Sequence, residues 1–300
     1  MKIKSITVTL LAPMNGHAAN RGEKLLGNAS SIKRLPDGRV YISGQMQRHA
    51  LFSAIDRLNE DAPQKNDTYV SNSDGISTDI SKDLRSDLGG YLDTNKDDYS
   101  GRRTSPTSAT LATATKESQI GRDLLVRLKT NKDSESTRKQ ALATNEFSQS
   151  DLMNMNFHLD VSAVGVTKLY QYNNETHIGS SYQDHLENTP EERRRRVELF
   201  LEATRFMTDY ANQARNATTG EPQQVLIVLD NKMSRKASRY FTTESAIEKE
   251  RILAEITNRE GICFLGDDTD TSALSVDEAY QKAFKTLADS DLYNPASLKS

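Results

Sequence analysis

Pro36-Asp37-Gly38-Arg39-Val40-Tyr41-Ile42-Ser43-Gly44-Gln45-Met46-Gln47-Arg48-His49-Ala50-Leu51-Phe52-Ser53-Ala54-Ile55-Asp56-Arg57-Leu58 passes from a turn through a strand into a helix, and that passage decides the fold. Pro36-Asp37-Gly38 is a turn signature, so residues 32–35 and 39–43 are expected to pair as a hairpin. Beyond Ser43-Gly44, Leu51, Ala54, Ile55 and Leu58 recur at helical spacing, the buried stripe of an amphipathic helix. Gln45, Arg48, His49 and Phe52 fall on its opposite side.

Upstream, Ile6, Val8 and Leu10 alternate with Ser5, Thr7 and Thr9, the period of a half-buried strand. Residues 13–32 are expected to be loop, because Pro13, Asn15, Gly16, Asn20, Gly22, Gly27 and Asn28 oppose regular structure. Downstream, residues 60–118 are rich in Ser, Thr, Asn and Asp and read as an insertion, with a short helix near 80–92. Residues 119–150 carry Arg122, Arg127, Lys129, Lys132, Arg138 and Lys139 and form a polar, basic arm. Phe157, Leu159 and Val161 mark a second strand. Thr189-Pro190-Glu191-Glu192 is a helix start with a capping box, and the helix is expected to run to about Asn216. It would bury Val197, Phe200, Ala203, Met207, Tyr210 and Ala214. Residues 225–229 form a continuous apolar run, as in a central strand. A short strand at 261–265 and a helix capped by Ser275 complete the chain. The order strand, helix, insertion, strand, helix, strand is α+β and fits a split β-α-β, ferredoxin-like core, a fold that commonly displays RNA on its sheet.

Composition narrows the function. Hydrophobic residues are 35% of the 300 and mean hydropathy is -0.69, so a good part of the chain must be polar loop or arm. No run is apolar enough to span a membrane, no signal peptide begins the chain, and the single Cys263 suits a reducing cytoplasm. The net charge is -3, yet residues 1–60 hold nine Lys/Arg against four Asp/Glu, whereas residues 241–300 hold six against twelve. A basic N-terminal part suits phosphates and an acidic C-terminal part suits a basic neighbour.

No phosphate loop, zinc-protease motif or nucleophile elbow is present. Ser43-Gly44-Gln45 opens a helix with Arg48 and His49 one turn later, an arrangement suited to a phosphate. Asn20-Arg21-Gly22 would join it if the loop after the first strand folds back. Arg193–Arg196 are expected to be a solvated face, because consecutive helical residues point about 100° apart. His158 and Asp160 share one strand face and are expected on the sheet surface, and Gly266-Asp267-Asp268-Thr269-Asp270 reads as an acidic turn. No catalytic residue, metal or cofactor is expected.

Asn20-Arg21-Gly22, the stretch from Lys33-Arg34 through Ser43-Gly44-Gln45, and Arg48 closely resemble the N-terminal signature of the DevR-like CRISPR backbone subunits of the RAMP superfamily. Arg102-Arg103-Thr104-Ser105-Pro106 resembles that family's internal Arg-Ser-Pro segment, and residues 157–165 its strand ending in Val-Gly. The resemblance spans roughly 20–230. It implies a ferredoxin-like (RRM/RAMP) palm at 1–59 and 155–300, a large finger insertion at 60–118 and a thumb hairpin at 119–154. It further implies a non-catalytic backbone subunit of a type I-B Cascade, stacking in copies along the CRISPR RNA (crRNA) and supporting pairing with a target DNA strand in antiviral defence. The RNA-binding residues so implied are Asn20, Arg21, Gly22, Lys33, Arg34, Ser43, Gly44, Gln45, Arg48, His49, Arg102 and Arg103. Leu142 or Phe147 would wedge the guide at the thumb. Partners would be crRNA, target DNA, further copies of the chain, a large subunit and a crRNA-end-capping subunit. The competing reading is a RAMP endoribonuclease. It is weakened because no His and only Gly261 and Gly266 follow residue 230, and no Asp lies between Pro13 and Pro36.

Overall fold

The alternation that begins at Ser5 continues well beyond Leu10. In the computed structural model, which describes residues 1–25, 29–72, 75, 77–92, 102–129, 139–174 and 176–297, it forms β1 (Ser5–His17). Pro13 does not stop the strand, because the partner on one side ends opposite Leu11, so Pro13 lies on a free edge where no ladder donor is needed. The segment expected to be loop instead adds two strands, β2 (Arg21–Leu25) and β3 (Ala29–Ile32). The Pro36-Asp37-Gly38 turn forms as read: the Gly38 amide donates to Leu35 O and Arg34 bridges Val40. Gly38 takes φ +83°, which suits glycine.

β4 (Tyr41–Ile42) leads into α1 (Gly44–Asp61), capped by Ser43 Oγ, which accepts from the Met46 amide at 3.3 Å. Then come α2 (Leu84–Gly89), β5 (Thr107–Ala109), β6 (Ala112–Ala114), β7 (Ile120–Lys129) and β8 (Lys139–Asp160). β9 (Val166–Asn173) and β10 (Thr176–Asp184) form a separate hairpin. α3 (Pro190–Ala203), β11 (Gln224–Asp230), α4 (Ala246–Asn258), β12 (Ile262–Asp267) and α5 (Val276–Ala288) follow.

The main sheet runs β12–β11–β1–β8 with every neighbouring pair antiparallel. β5 and β6 pair with the far edge of β8, so residues 107–114 belong to the sheet although they lie within the stretch read as an insertion. One face carries Ile6, Val8, Leu10, Met155, Phe157, Val225 and Ile227 and packs under Leu51, Ile55, Phe200 and Tyr280 of the helices. Burying side chains of this size contributes about 1.5–3 kcal/mol each. The other face of β11 and β12 is covered too, by Ala237, Tyr240, Ile252 and Ile256. Ser5, Thr7 and Thr9 are therefore buried rather than solvated. Ser5 Oγ donates to Lys232 O at 2.6 Å and Thr7 Oγ1 meets His158 Nδ1 at 2.9 Å, which offsets the burial of these two hydroxyls, whereas Thr9 Oγ1 has no hydrogen-bond partner among the described residues.

Three helix expectations change. Phe52 is buried, because Arg48, Arg85 and Gly89 close over the face of α1 that periodicity assigns to solvent. α3 ends at Ala203, leaving Met207 and Tyr210 buried on irregular chain and Ala214 exposed. The capping box at Thr189 does not form: Thr189 makes no side-chain cap bond, and the Glu192 carboxylate is taken by Arg195 and Arg196. α5, by contrast, has a complete capping box between Ser275 and Glu278. No helix among the described residues is long and apolar enough to cross a membrane.

Candidate nucleic-acid interface

β8 is 22 residues long and does two jobs. Its second half sits between β1 and the β5–β6 edge, while its first half leaves the sheet and pairs with β7 from Ile120↔Ser148 out to Lys129↔Lys139. Sequence alone reads this region as a basic arm, and the structure makes it a hairpin rooted in the central strand. Gly121 lies under the Phe147 ring, where an added Cβ would come within 2.4 Å of Phe147 Cζ. The side chain of Leu142 lies outside the described residues.

At the root of the hairpin Glu146 is buried and gathers two arginines: Arg122 Nη2 lies 3.1 Å from Oε1 and Arg34 Nη2 3.7 Å from Oε2. The Ile32 amide also donates to Oε2. Both guanidiniums remain exposed on their outer sides, with Lys33 exposed beside Arg34. Asn20 Nδ2 donates to Tyr41 O at 2.6 Å and Asn20 O accepts from the Lys33 amide, so the loop after β1 does fold back onto the strand entering α1. Gly22 is required where β2 meets β3, since a Cβ there would stand 2.4 Å from Ser31 Oγ. Gly44 lies against the Ala109 carbonyl in the same way, at 2.9 Å. Gln45 and His49 are exposed on α1, His49 Nε2 3.3 Å from Asp209 Oδ2. The side chains of Arg21 and Arg102 lie outside the described residues.

Two candidates, half-buried Arg48 and buried Arg103, are held by the protein's own acceptors. Arg48 donates to Ser105 Oγ, Thr107 O and Gly89 O, and burial with the Arg85 charge nearby pulls its pKa down. Periodicity put it on a polar face; Arg85, Gly89, Ser105 and Thr107, distant in sequence, cover that face. Arg103 is buried and bonds Asp87, Ala163 O, Val166 O and Thr167. The four-arginine run is also not a solvated face. Arg196 is fully buried against Asp87 and Glu192, Arg193 pairs with Asp184, Arg195 with Glu192, and Arg194 donates to Leu287 O and Ser290 O. The fan that separates these side chains sends Arg193, Arg194 and Arg196 to different regions of the fold, while Arg195 and Arg196 share Glu192.

His158 does not lie on the sheet surface: it is 3% exposed and burial lowers its pKa to about 4, with the Arg235 charge adding to the effect. A histidine whose folded pKa lies below its unfolded value stabilises the fold above about 6.5 and loses that contribution as pH falls towards 4. Stability measured by urea unfolding between these limits is expected to fall with acidification, and His158→Gln should flatten that slope. An unchanged slope would show that His158 takes up its proton over the same pH range in the folded and unfolded chain. Among the described residues no cluster of three or more His, Cys, Asp and Glu is placed to hold a metal ion. The periodicity of the sequence does not point to the hairpin β9–β10, although Asn173-Asn174 is a turn signal.

The overall fold is similar to that of chains solved in RNA-guided complexes. A chain of a "CRISPR RNA-guided surveillance complex" superposes with a TM-score of 0.57 at 13% identity, covering 95% of this chain and 99% of that one. A second, from a "CRISPR RNA-guided surveillance complex, pre-nicking", gives 0.55 at 13% identity, covering 94% and 99%. No curated protein matches the sequence at a significant level. The profile of the family described as CRISPR-associated negative auto-regulator DevR/Csa2 matches residues 8–229, and the chain belongs to that family.

Proposed function

We propose that this chain is the repeated, non-catalytic backbone subunit of a type I-B-like Cascade in the cytoplasm, holding crRNA and supporting its pairing with target DNA. Its sheet order, with α1 and α3 over one face, fits a ferredoxin-like palm at 1–59 and 155–300. The fingers are then 60–118, with 107–114 adding strands to the palm, and the thumb is 119–154. The observation that carries this reading is the continuity of β8 from core strand into hairpin, with exposed Lys33, Arg34 and Arg122 at the hairpin root. Such an arrangement meets phosphates and leaves sequence to base pairing. Arg34, Lys33, Gln45, Ser43 and His49 are the surface candidates; Arg48 and Arg103 act indirectly, by fixing the segments around them. Further copies, a large subunit and a crRNA-end-capping subunit are the expected partners.

The test is purification of the chain with its nucleic acid. RNA of uniform length is expected to copurify, and rebinding to unrelated RNA should be cooperative. If each copy neutralises about three phosphates, log K should fall with log salt at a slope of about -2 per copy. Neither guide nor complementary RNA should be cut when magnesium is present. Cleavage at discrete positions that one point substitution abolishes would replace this reading with the endoribonuclease one.

A further inference from the structure

The β9–β10 hairpin carries an aromatic ladder that the guide-binding reading does not use. Its two strands pair only with each other among the described residues, and Tyr170, Tyr172 and Tyr182 are 46, 43 and 44% exposed. Lys168 stands opposite Tyr182 and Tyr170 opposite Ser180. A register shift after Gln171 then brings His177, rather than Ile178, opposite Tyr172. The result is one row of interacting groups. The His177 ring lies 6.0 Å from Tyr170 and 5.8 Å from Tyr172, and the Lys168 ammonium sits 5.3 Å over Tyr170 and 5.9 Å from Tyr182.

We propose that this row is a stacking platform for single-stranded nucleic acid, using Tyr172, His177, Tyr170 and Tyr182 for bases and Lys168 for the backbone. Side chains two apart on a strand repeat at about 6.8 Å, twice the about 3.4 Å rise of a stacked base, so rings at that spacing accept bases along one line. Every ring in the row is a phenol or imidazole and the interleaved charge is an ammonium, the composition that takes bases of any sequence. An aliphatic protein anchor is missing from the row.

The row ends in a cleft of about 780 Å³ at the hairpin root, lined by Tyr182, Lys2, Arg193 and Asn294. There Arg193 Nη2 is held by Asp184 at 2.6 Å while its Nη1 has no hydrogen-bond partner. The cleft also holds Arg194 and the carboxylates Asp184, Glu187 and Asp291, so it extends the row as a mixed polar wall and adds no net positive charge.

The platform stands or falls independently of the guide-binding reading. The chain has no tryptophan, so Tyr170→Trp installs a single emitter within the row. Titration with oligo-dT and with oligo-U of about twenty nucleotides is expected to quench it by about half or more. Adding Tyr172→Ala should weaken the quenching titration about tenfold, Lys168→Ala should weaken it less, and the salt slope should be shallow, near -1. Both positions are well exposed, so melting temperature should not move. Absence of quenching with either oligonucleotide overturns the platform, as does quenching that neither Tyr172→Ala nor Lys168→Ala weakens. Guide binding that survives Arg34→Ala and Arg122→Ala, with quenching retained, would leave the platform standing and remove the palm site instead.

Discussion

Asp87→Ala is expected to cost about 3–5 kcal/mol, a loss that a protein of ordinary stability barely survives. Asp87 Oδ1 accepts from Arg103 Nη2 at 2.5 Å, Oδ2 accepts from Arg196 Nη1 at 2.7 Å, and the Gly165 amide donates to both oxygens. The side chains of Asp87 and Arg196 are fully buried and that of Arg103 nearly so. Removing the carboxylate leaves two guanidiniums in the interior with one carboxylate, Glu192, bonded to Arg196 and none to Arg103. Arg194→Ala in the same arginine run removes only bonds to two carbonyls and should cost about 1 kcal/mol. Urea unfolding of both variants separates the cases. A loss below about 1 kcal/mol for Asp87→Ala would mean that water reaches the site and neutralises the pair cheaply.

The second large effect is on assembly. Replacing residues 125–143 by Asn-Gly shortens the β7–β8 hairpin but keeps Ile120↔Ser148 to Leu124↔Thr144, along with Arg122, Glu146 and Phe147. Melting temperature should stay within about 2–4 °C, since the retained pairs keep Arg122, Glu146 and Phe147 in register. Cooperative loading of several copies on one RNA should be lost outright, as followed by gel shift or mass photometry. Multi-copy assembly that persists would remove the hairpin from the proposed thumb role.

What the sequence made legible is what local periodicity encodes. The alternation at Ile6–Val8–Leu10, the stripe Leu51–Ala54–Ile55–Leu58, the apolar run at 225–229 and the Ser275 cap are all found in place. Helix and turn chemistry acts within a few residues, so it can be read within a few residues. The fates of the arginines were illegible because their partners are distant: Arg196 meets Asp87, and Arg48 meets Gly89 and Thr107. Charge next to charge in sequence looks solvated until the fold supplies acceptors. The β9–β10 hairpin escaped for a different reason. Both its faces are largely exposed, so it carries no buried-polar alternation to notice.

The surface site was half legible. The resemblance singled out Lys33, Arg34, Gln45 and His49, which are exposed, but equally Arg48 and Arg103, which are not. A family signature records that a residue matters without separating contact from support. Arg122 entered only as one charge in a basic arm, because its relation to Glu146 depends on strand register.

That register has a mechanical corollary. β8 is one unbroken ribbon about 70 Å long at about 3.3 Å per residue, clamped at its inner end by Met153, Met155 and Phe157 in the core. Sliding it by one residue would invert the two faces of the ribbon throughout, turning those three side chains out of the core. The phase of the outer hairpin is therefore locked to the phase of the interior. An insertion or deletion of a single residue on the outer part of β8 has to be absorbed at its turn or as a local bulge, and cannot travel inward. Evolution can thus lengthen or shorten this arm freely in steps of two, one on each strand, while the body that carries it stays unaware of the change.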